Sequence, residues 1–335
     1  MITEDTITEH TNTTGTHTTF YLQAGDANAI PIIMLHGWPE LSLSWRHQLP
    51  ALAASGYRAI APDMRGYGRS TCYPRHEDYA QQHIVADMLN LADALDIERA
   101  VWVGHDWGSP TVWNIAAKHA DRCLGVANLC VPYATLEFGW PGLTPHIDRN
   151  LYREDVYPAG QWEYMRFYEE SFSEATATFD ADPEAIVRLL FRKGSPEGAG
   201  QVAGTAMTRH NGGWFQGGQI PDLPRDEDVI SAADAATYAK FLIQNSFFGP
   251  DSYYMNHSNN AAYAGEQPVP LEMPVLFLHG RFDYTCETMT STLAEPMRSL
   301  CDDLTEHVVD SGHWMAQEQP AVINRHLLGW LARFL

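Results

Sequence analysis

The stretch Val101-Trp102-Val103-Gly104-His105-Asp106-Trp107-Gly108-Ser109 joins a short apolar run to the start of a helical pattern. The run has the character of a buried strand and ends at Gly104. Helical spacing begins near Ser109 and continues over 111–119. Between them lies Gly-x-Asp-x-Gly. Glycine accepts backbone conformations that other residues resist, which suits a sharp strand-to-helix turn. Such a turn presents a nucleophile and ordinarily carries Ser at its centre. Here Asp106 occupies that place. A plain loop whose Asp caps the following helix has the same local sequence, so the rest of the chain must decide.

Working outward, strands and helices alternate. Strands are expected at 18–23, 29–36, 57–62, 100–104 and 124–131. Helices are expected at 44–54 and at 78–95, where Ile84, Met88, Leu91 and Leu95 form one stripe. After Pro132 the texture changes. Trp, Tyr, Pro and Gly become frequent, and helical patterns remain only at 159–173, 183–193, 231–245 and 250–263. Ser231 with Asp234 three residues on suits an N-terminal cap. Alternation resumes with a strand at 273–280, a helix at 287–300, a strand at 304–309 and a closing helix at 317–335. This predicts an α/β fold with a mostly parallel sheet covered by helices on both faces. The core spans 17–131 and 266–335, a helical cap is inserted at 132–265, and the Thr-rich residues 1–16 form a flexible segment. A Gly-rich segment, 194–224, is expected as a mobile loop near the mouth of a pocket.

Three side chains fall just past the carboxyl ends of core strands: Asp106, Asp283 and His313. Open α/β sheets place their chemistry there. Nucleophile, acid and histidine in that chain order form a catalytic triad. A fourth signal is His36-Gly37-Trp38-Pro39 after the 29–36 strand, where a backbone N–H at Trp38 can serve an oxyanion. Proline permits a cis peptide at low cost, so Trp38-Pro39 is a candidate for one.

Composition narrows the class. The chain has 335 residues and a formal net charge of -21. That balance argues against nucleic-acid partners, which require clustered Lys and Arg. No apolar run approaches the roughly 20 residues of a membrane span. The first 17 residues lack the regions of a signal peptide, and Asn12-Thr13-Thr14 is a glycosylation triplet by pattern only. Cys72, Cys123, Cys130, Cys286 and Cys301 are an odd, scattered set, read as reduced thiols in a cytoplasmic protein. Cys286 is read as a packing residue. Asp63-Met64-Arg65-Gly66-Tyr67-Gly68-Arg69-Ser70 lacks the spacing of a phosphate loop; Asp63 and Arg65 are expected to pair across a turn. The histidines show no metal-site spacing. Neither a metal nor an organic cofactor is expected.

Nearly end to end, the chain resembles α/β-hydrolase-fold epoxide hydrolases of the soluble, bacterial type. The resemblance rests on His36-Gly37-Trp38-Pro39-Glu40 with Ser44-Trp45-Arg46, on Arg65-Gly66-Tyr67-Gly68-Arg69-Ser70, on Gly104-His105-Asp106-Trp107-Gly108, and on the late Asp283 and His313-Trp314. It implies two cap tyrosines over the nucleophile. Glu163-Tyr164-Met165-Arg166-Phe167-Tyr168 places the first at Tyr164, with Tyr168 as the alternative. Gly249-Pro250-Asp251-Ser252-Tyr253-Tyr254 places the second at Tyr254, with Tyr253 as the alternative. Val131-Pro132-Tyr133 departs from the usual Asn/Thr-Pro. The implied reaction opens an epoxide to a diol through an ester on Asp106, with Trp38 and Trp107 as oxyanion donors. Trp38, Trp107, Tyr164, Tyr254 and Trp314 would line a pocket for a small apolar epoxide, with water as co-substrate. Two rivals remain: a dehalogenase of the same fold, and a non-catalytic small-molecule receptor. Oligomeric state is left open, a homodimer included.

Overall fold

The computed structural model describes residues 7–335. Among them, eight strands form one sheet: β1 (Thr8–Thr14), β2 (His17–Ala24), β3 (Pro31–Leu35), β4 (Arg58–Pro62), β5 (Ala100–His105), β6 (Cys123–Leu129), β7 (Leu271–Gly280) and β8 (Cys301–Val309). Their order is β1-β2-β4-β3-β5-β6-β7-β8. β1 and β2 pair antiparallel, as do β2 and β4; every other pairing is parallel. Parallel strands are covered on both faces and so read as continuous apolar runs. Ile33, Met34 and Leu35 on β3 and Val101, Trp102 and Val103 on β5 are buried accordingly.

The core helices are α1 (Gln48–Ala54), α2 (Gln81–Ala94) and α3 (Gly108–Lys118). Between β6 and β7 the chain forms helices only: α4 (Trp140–Leu143), α5 (Glu163–Asp180), α6 (Pro183–Leu190), α7 (Gly204–His210), α8 (Ala232–Asn245), α9 (Phe248–Ser252) and α10 (His257–Ala264), with short 3-10 turns. Ser231 caps α8 as expected, its hydroxyl accepting from the Asp234 N–H at 3.1 Å. The chain closes with α11 (Glu295–Leu300), α12 (Met315–Glu318) and α13 (Pro320–Leu331). No helix among the described residues is long and apolar enough to cross a membrane.

Several expectations change. Residues 8–14, expected within a flexible segment, form the edge strand β1. Gly15 at φ 62 turns the chain so that Thr14 faces His17, and the β-branched threonines suit the exposed pleat. Residues 1–6 of that expected segment lie outside the described residues. The helix expected at 287–300 is reduced to α11: Glu287 has φ 53, in the left-handed region, and does not start a helix. The helix expected at 250–263 is broken by a 3-10 turn, Tyr253–Asn256. The Gly-rich 194–224 segment contains α7. Asp63 and Arg65 do not pair. Asp63 accepts from the backbone N–H groups of Ser42 (2.8 Å) and Arg69 (3.0 Å), while Arg65 grips Asp87 of α2 with two bonds of 2.7 and 2.8 Å.

Candidate active site

Loops leaving the carboxyl ends of β3, β5, β7 and β8 converge on Asp106. The turn after β5 works by close approach. Gly104 and Gly108 are not the residues at positive φ; Asp106 itself is, at φ 47. A Cβ on Gly104 would stand 2.3 Å from Asn128 Oδ1, and one on Gly108 would stand 2.2 Å from the Leu35 carbonyl. Both positions exclude a side chain because strand and helix pack there without a gap. The N-terminus of α3 follows directly, and its free N–H groups favour a carboxylate beside them.

Gly37, at the end of β3, lies over Asp106: a Cβ there would stand 2.3 Å from Asp106 Cβ. That bare backbone lets the next N–H, of Trp38, donate to Asp106 Oδ1 at 2.7 Å. The Trp38-Pro39 peptide is cis. On the other side, His313 Nε2 lies 3.4 Å from Asp106 Oδ2, and His313 Nδ1 donates to Asp283 Oδ2 at 2.9 Å. Asp283 also accepts from the N–H groups of Thr285 and Cys286.

The electrostatics follow from this contact pattern. Burial opposes a charge on His313, but the Asp283 charge and the hydrogen bond to Asp106 outweigh it, holding the imidazole well above its ordinary value. Burial would raise Asp283, yet the charge and hydrogen bond of His313 hold it well below the usual carboxylate range. Cys130 and Cys286 flank the imidazole; burial pushes both thiols up, so neither is a thiolate ready to attack.

Tyr164 of α5 and Tyr254, beyond α9, meet edge to face with ring centroids 5.4 Å apart. Burial, and for both the charge of Asp106, raise the two phenols well above their ordinary value, so they remain protonated. The alternatives are placed differently. Tyr253 donates to the Arg65 carbonyl at 2.9 Å. Tyr168 stacks on Tyr254 at 4.7 Å and 6°. Trp107 sets its ring against Tyr254 at 5.3 Å. Trp314 lies edge to face with His313 at 4.8 Å and tilted against Phe191 at 4.6 Å. A cavity of about 470 Å³ reaches His313, Asp283 and Trp314 from beside Trp214 and Phe282; Asp106, Tyr164 and Tyr254 do not line it.

Sequence reasoning missed a buried polar chain behind the histidine. His105 bonds to the His313 carbonyl through Nε2 (2.8 Å) and to Glu40 Oε2 through Nδ1 (2.7 Å). Glu40 accepts from the Gly37 N–H at 3.1 Å and from Gln317 Nε2 at 3.1 Å, and Arg46 Nη1 donates to Gln317 Oε1 at 2.7 Å. Burial pushes Glu40 up, but His105 pulls it down to about 2. A histidine in the second place of Gly-x-Asp-x-Gly was the available signal: a polar ring in a turn this buried needs partners.

A family model described as the alpha/beta hydrolase fold matches residues 30–320. Epoxide hydrolase A of Mycobacterium tuberculosis is 33% identical over 316 residues, which cover 92% of each chain. An epoxide hydrolase of Caballeronia sordidicola is 45% identical over 309 residues, covering 90% of this chain and 87% of its own. The crystal structure of epoxide hydrolase A from Mycobacterium thermoresistibile superposes with a TM-score of 0.81 at 28% identity over 98% of both chains. With matches that run through the elbow, the triad loops and the helical insertion alike, the chain belongs to the α/β-hydrolase fold family and, within it, to the epoxide hydrolases.

Proposed function

We propose that the protein opens a small apolar epoxide to a vicinal diol through an ester on Asp106. The observation that carries this reading is the position of that carboxylate. One oxygen is held by the Trp38 N–H, and the other stands 3.4 Å from His313 Nε2. A carboxylate needs no base to act as a nucleophile, since Asp ionises near ~4. Its Oδ2 attacks an epoxide carbon, the carbon–oxygen bond breaks, and the electron pair leaves on the epoxide oxygen. Tyr164 and Tyr254 hydrogen-bond that oxygen and supply its proton. Positioned acids of this kind give about 10²–10⁴-fold.

The ester then leaves Asp106 without its charge. One of the influences that held the proton on His313 is gone, and the imidazole can act as a base. It takes a proton from water, whose oxygen attacks the ester carbonyl carbon. Asp283 orients the ring and stabilises its charged form. The oxyanion develops on Oδ1, where the Trp38 N–H already points, with Trp107 as the second donor. Collapse breaks the bond between the carbonyl carbon and Oδ2, the diol leaves with that oxygen and takes the imidazolium proton, and the proton left on the new carboxyl returns to the phenolate, regenerating the Asp106 carboxylate. Trp38, Trp107, Tyr164, Tyr254 and Trp314 border the substrate in this reading.

We divide the chain into a core, 17–131 and 266–335, to which the edge strand β1 adds residues 8–14, and a cap, 132–265, and place the protein in the cytoplasm on its five free cysteines. The test is diol formation from styrene oxide and cyclohexene oxide, with single-turnover labelling. In ¹⁸O water, label must enter Asp106, because water attacks its carbonyl. Label found only in the diol, from protein not previously labelled, would overturn the ester mechanism.

A further inference from the structure

Asp251 is a carboxyl with 0% exposure, and the triad and tyrosine pair leave it without a role. It belongs to α9 in the helical insertion. Its Oδ1 accepts from the indole Nε1–H of Trp38 at 2.8 Å, and its Oδ2 accepts from the Thr176 hydroxyl of α5 at 2.8 Å. Trp38 is thus gripped at both ends. The backbone N–H donates to Asp106, and the indole N–H, at the far side of the same residue, donates to a carboxyl from another layer of the molecule.

The aromatic surroundings close the grip. The Trp38 ring lies 5.6 Å from Phe179, 6.4 Å from Phe247 and 5.9 Å from Tyr254. Apolar rings hold an indole in place against translation but leave its rotation weakly specified, whereas a hydrogen bond to a fixed acceptor selects one orientation. Placing a carboxyl in such a site without a cation is costly unless its acceptors are used. Burial pushes Asp251 up to about 7, while the bonds from Trp38 and Thr176 pull it down. Asp180 also faces it and raises it; Asp180 is itself bound by Ser246 and the Phe247 N–H. Protonated or not, the carboxyl keeps an acceptor for the indole.

We propose that Asp251 is a positioning residue for the ester-hydrolysis step, fixing the Trp38 indole so that the Trp38 backbone N–H stays aimed at the oxygen of Asp106 that becomes the oxyanion. This rests on the reading of Asp106 as the nucleophile. The expected signature is specific to a step. Attack on the epoxide uses the other carboxylate oxygen, whereas hydrolysis loads Oδ1 with negative charge. Loss of an oxyanion donor costs about 10²–10³-fold; a loosened donor costs less, about 10-fold.

The experiment is a quenched single turnover of styrene oxide, with the ester-linked fraction read by intact-protein mass spectrometry. Wild type gives a transient ester. Asp251→Leu slows hydrolysis by about 10-fold, with a smaller effect on ester formation, so the ester accumulates. Asp251→Asn retains a carbonyl acceptor and recovers most of the hydrolysis rate. Equal slowing of both steps, or no slowing in a folded Asp251→Leu protein, overturns the proposal. Should that variant not fold, Trp38→Phe removes the indole N–H and leaves the carboxyl in place. Ester accumulation there supports the proposal, and a wild-type hydrolysis rate overturns it. If wild type itself forms no ester on Asp106, the parent reading fails first, and the two failures are distinct.

Discussion

His313 Nε2 lies 3.4 Å from Asp106 Oδ2, so the base proposed for the second step is the ion-pair partner of the nucleophile in the first. Its elevated proton affinity depends on carboxylates, and one of them is consumed by ester formation. Replacing that carboxylate with an amide should imitate the ester. Asp106→Asn is expected to lower the His313 titration point measured by NMR, and Asp283→Asn to lower it as well. An unchanged titration point in Asp106→Asn would remove the charge coupling on which the proposed switch from cation to base depends. The sign for stability follows the same way: the contribution of His313 is full below its unfolded value near ~6.5 and is lost as pH rises through the raised folded value.

Burial and the charge of Asp106 both raise the phenols of Tyr164 and Tyr254. Each Tyr→Phe change should slow ester formation by about 10-fold and the pair by about 10²–10⁴-fold, with hydrolysis of the formed ester little altered. Tyr253→Phe should instead cost stability, because its hydroxyl is committed to the Arg65 carbonyl. Stopped-flow tryptophan fluorescence during a single turnover separates these outcomes.

Gly37→Ala tests the close approach over the nucleophile. The added methyl meets Asp106 Cβ at 2.3 Å and Oδ1 at 2.4 Å, so something must shift, and the Trp38 N–H moves with it. A displacement of this size is expected to cost about 10²-fold in diol formation, with a modest change in thermal midpoint. Full activity in the alanine variant would contradict the site geometry.

The meeting of Asp106, Asp283 and His313 was legible because each follows a strand of the parallel part of the sheet, which aligns the ends of its strands. The order of Asp106, Asp283 and His313 therefore carried spatial information. The roles proposed for Tyr164 and Tyr254 rest on resemblance, since an aromatic in a helical insertion fills space far more often than it touches substrate. Glu40, His105 and Gln317 were not assigned roles because their contacts join positions 65 to 277 residues apart, and no local spacing encodes such pairs. Arg65 illustrates the same limit. Its neighbour Asp63 offered the obvious partner, yet the arginine reaches α2, because Asp63 is already occupied by backbone N–H groups.

That choice makes the Arg65–Asp87 pair a stability determinant. The side chains are 9% and 4% exposed, and the guanidinium also sits over the Tyr73 ring at 4.3 Å. Breaking one side of a buried pair leaves an uncompensated charge and costs about 3–5 kcal/mol. Arg65→Met should lower the urea midpoint accordingly, and Asp87→Asn should do so as well. A shift of under about 1 kcal/mol in both would show the pair to be solvated and dispensable.

Glu287 offers a stability test of the opposite sign. Its Oε1 accepts from the Tyr152 hydroxyl at 2.7 Å, while Oε2 is buried without a partner. Burial pushes the carboxyl up to about 7. A carboxyl raised in the folded state binds its proton more tightly there than in the unfolded chain. Its contribution is therefore full below the unfolded value, ~4.3, and is lost as pH rises through about 7. Glu287→Gln keeps an acceptor for Tyr152 and carries no charge at any pH. The variant should be more stable than wild type at pH ~8, by on the order of 2 kcal/mol, and nearly equal to it at pH ~4. Urea unfolding at the two pH values measures this directly. A variant no more stable than wild type at the higher pH would mean that the carboxylate has found a donor, and that its burial is not the strain assigned to it.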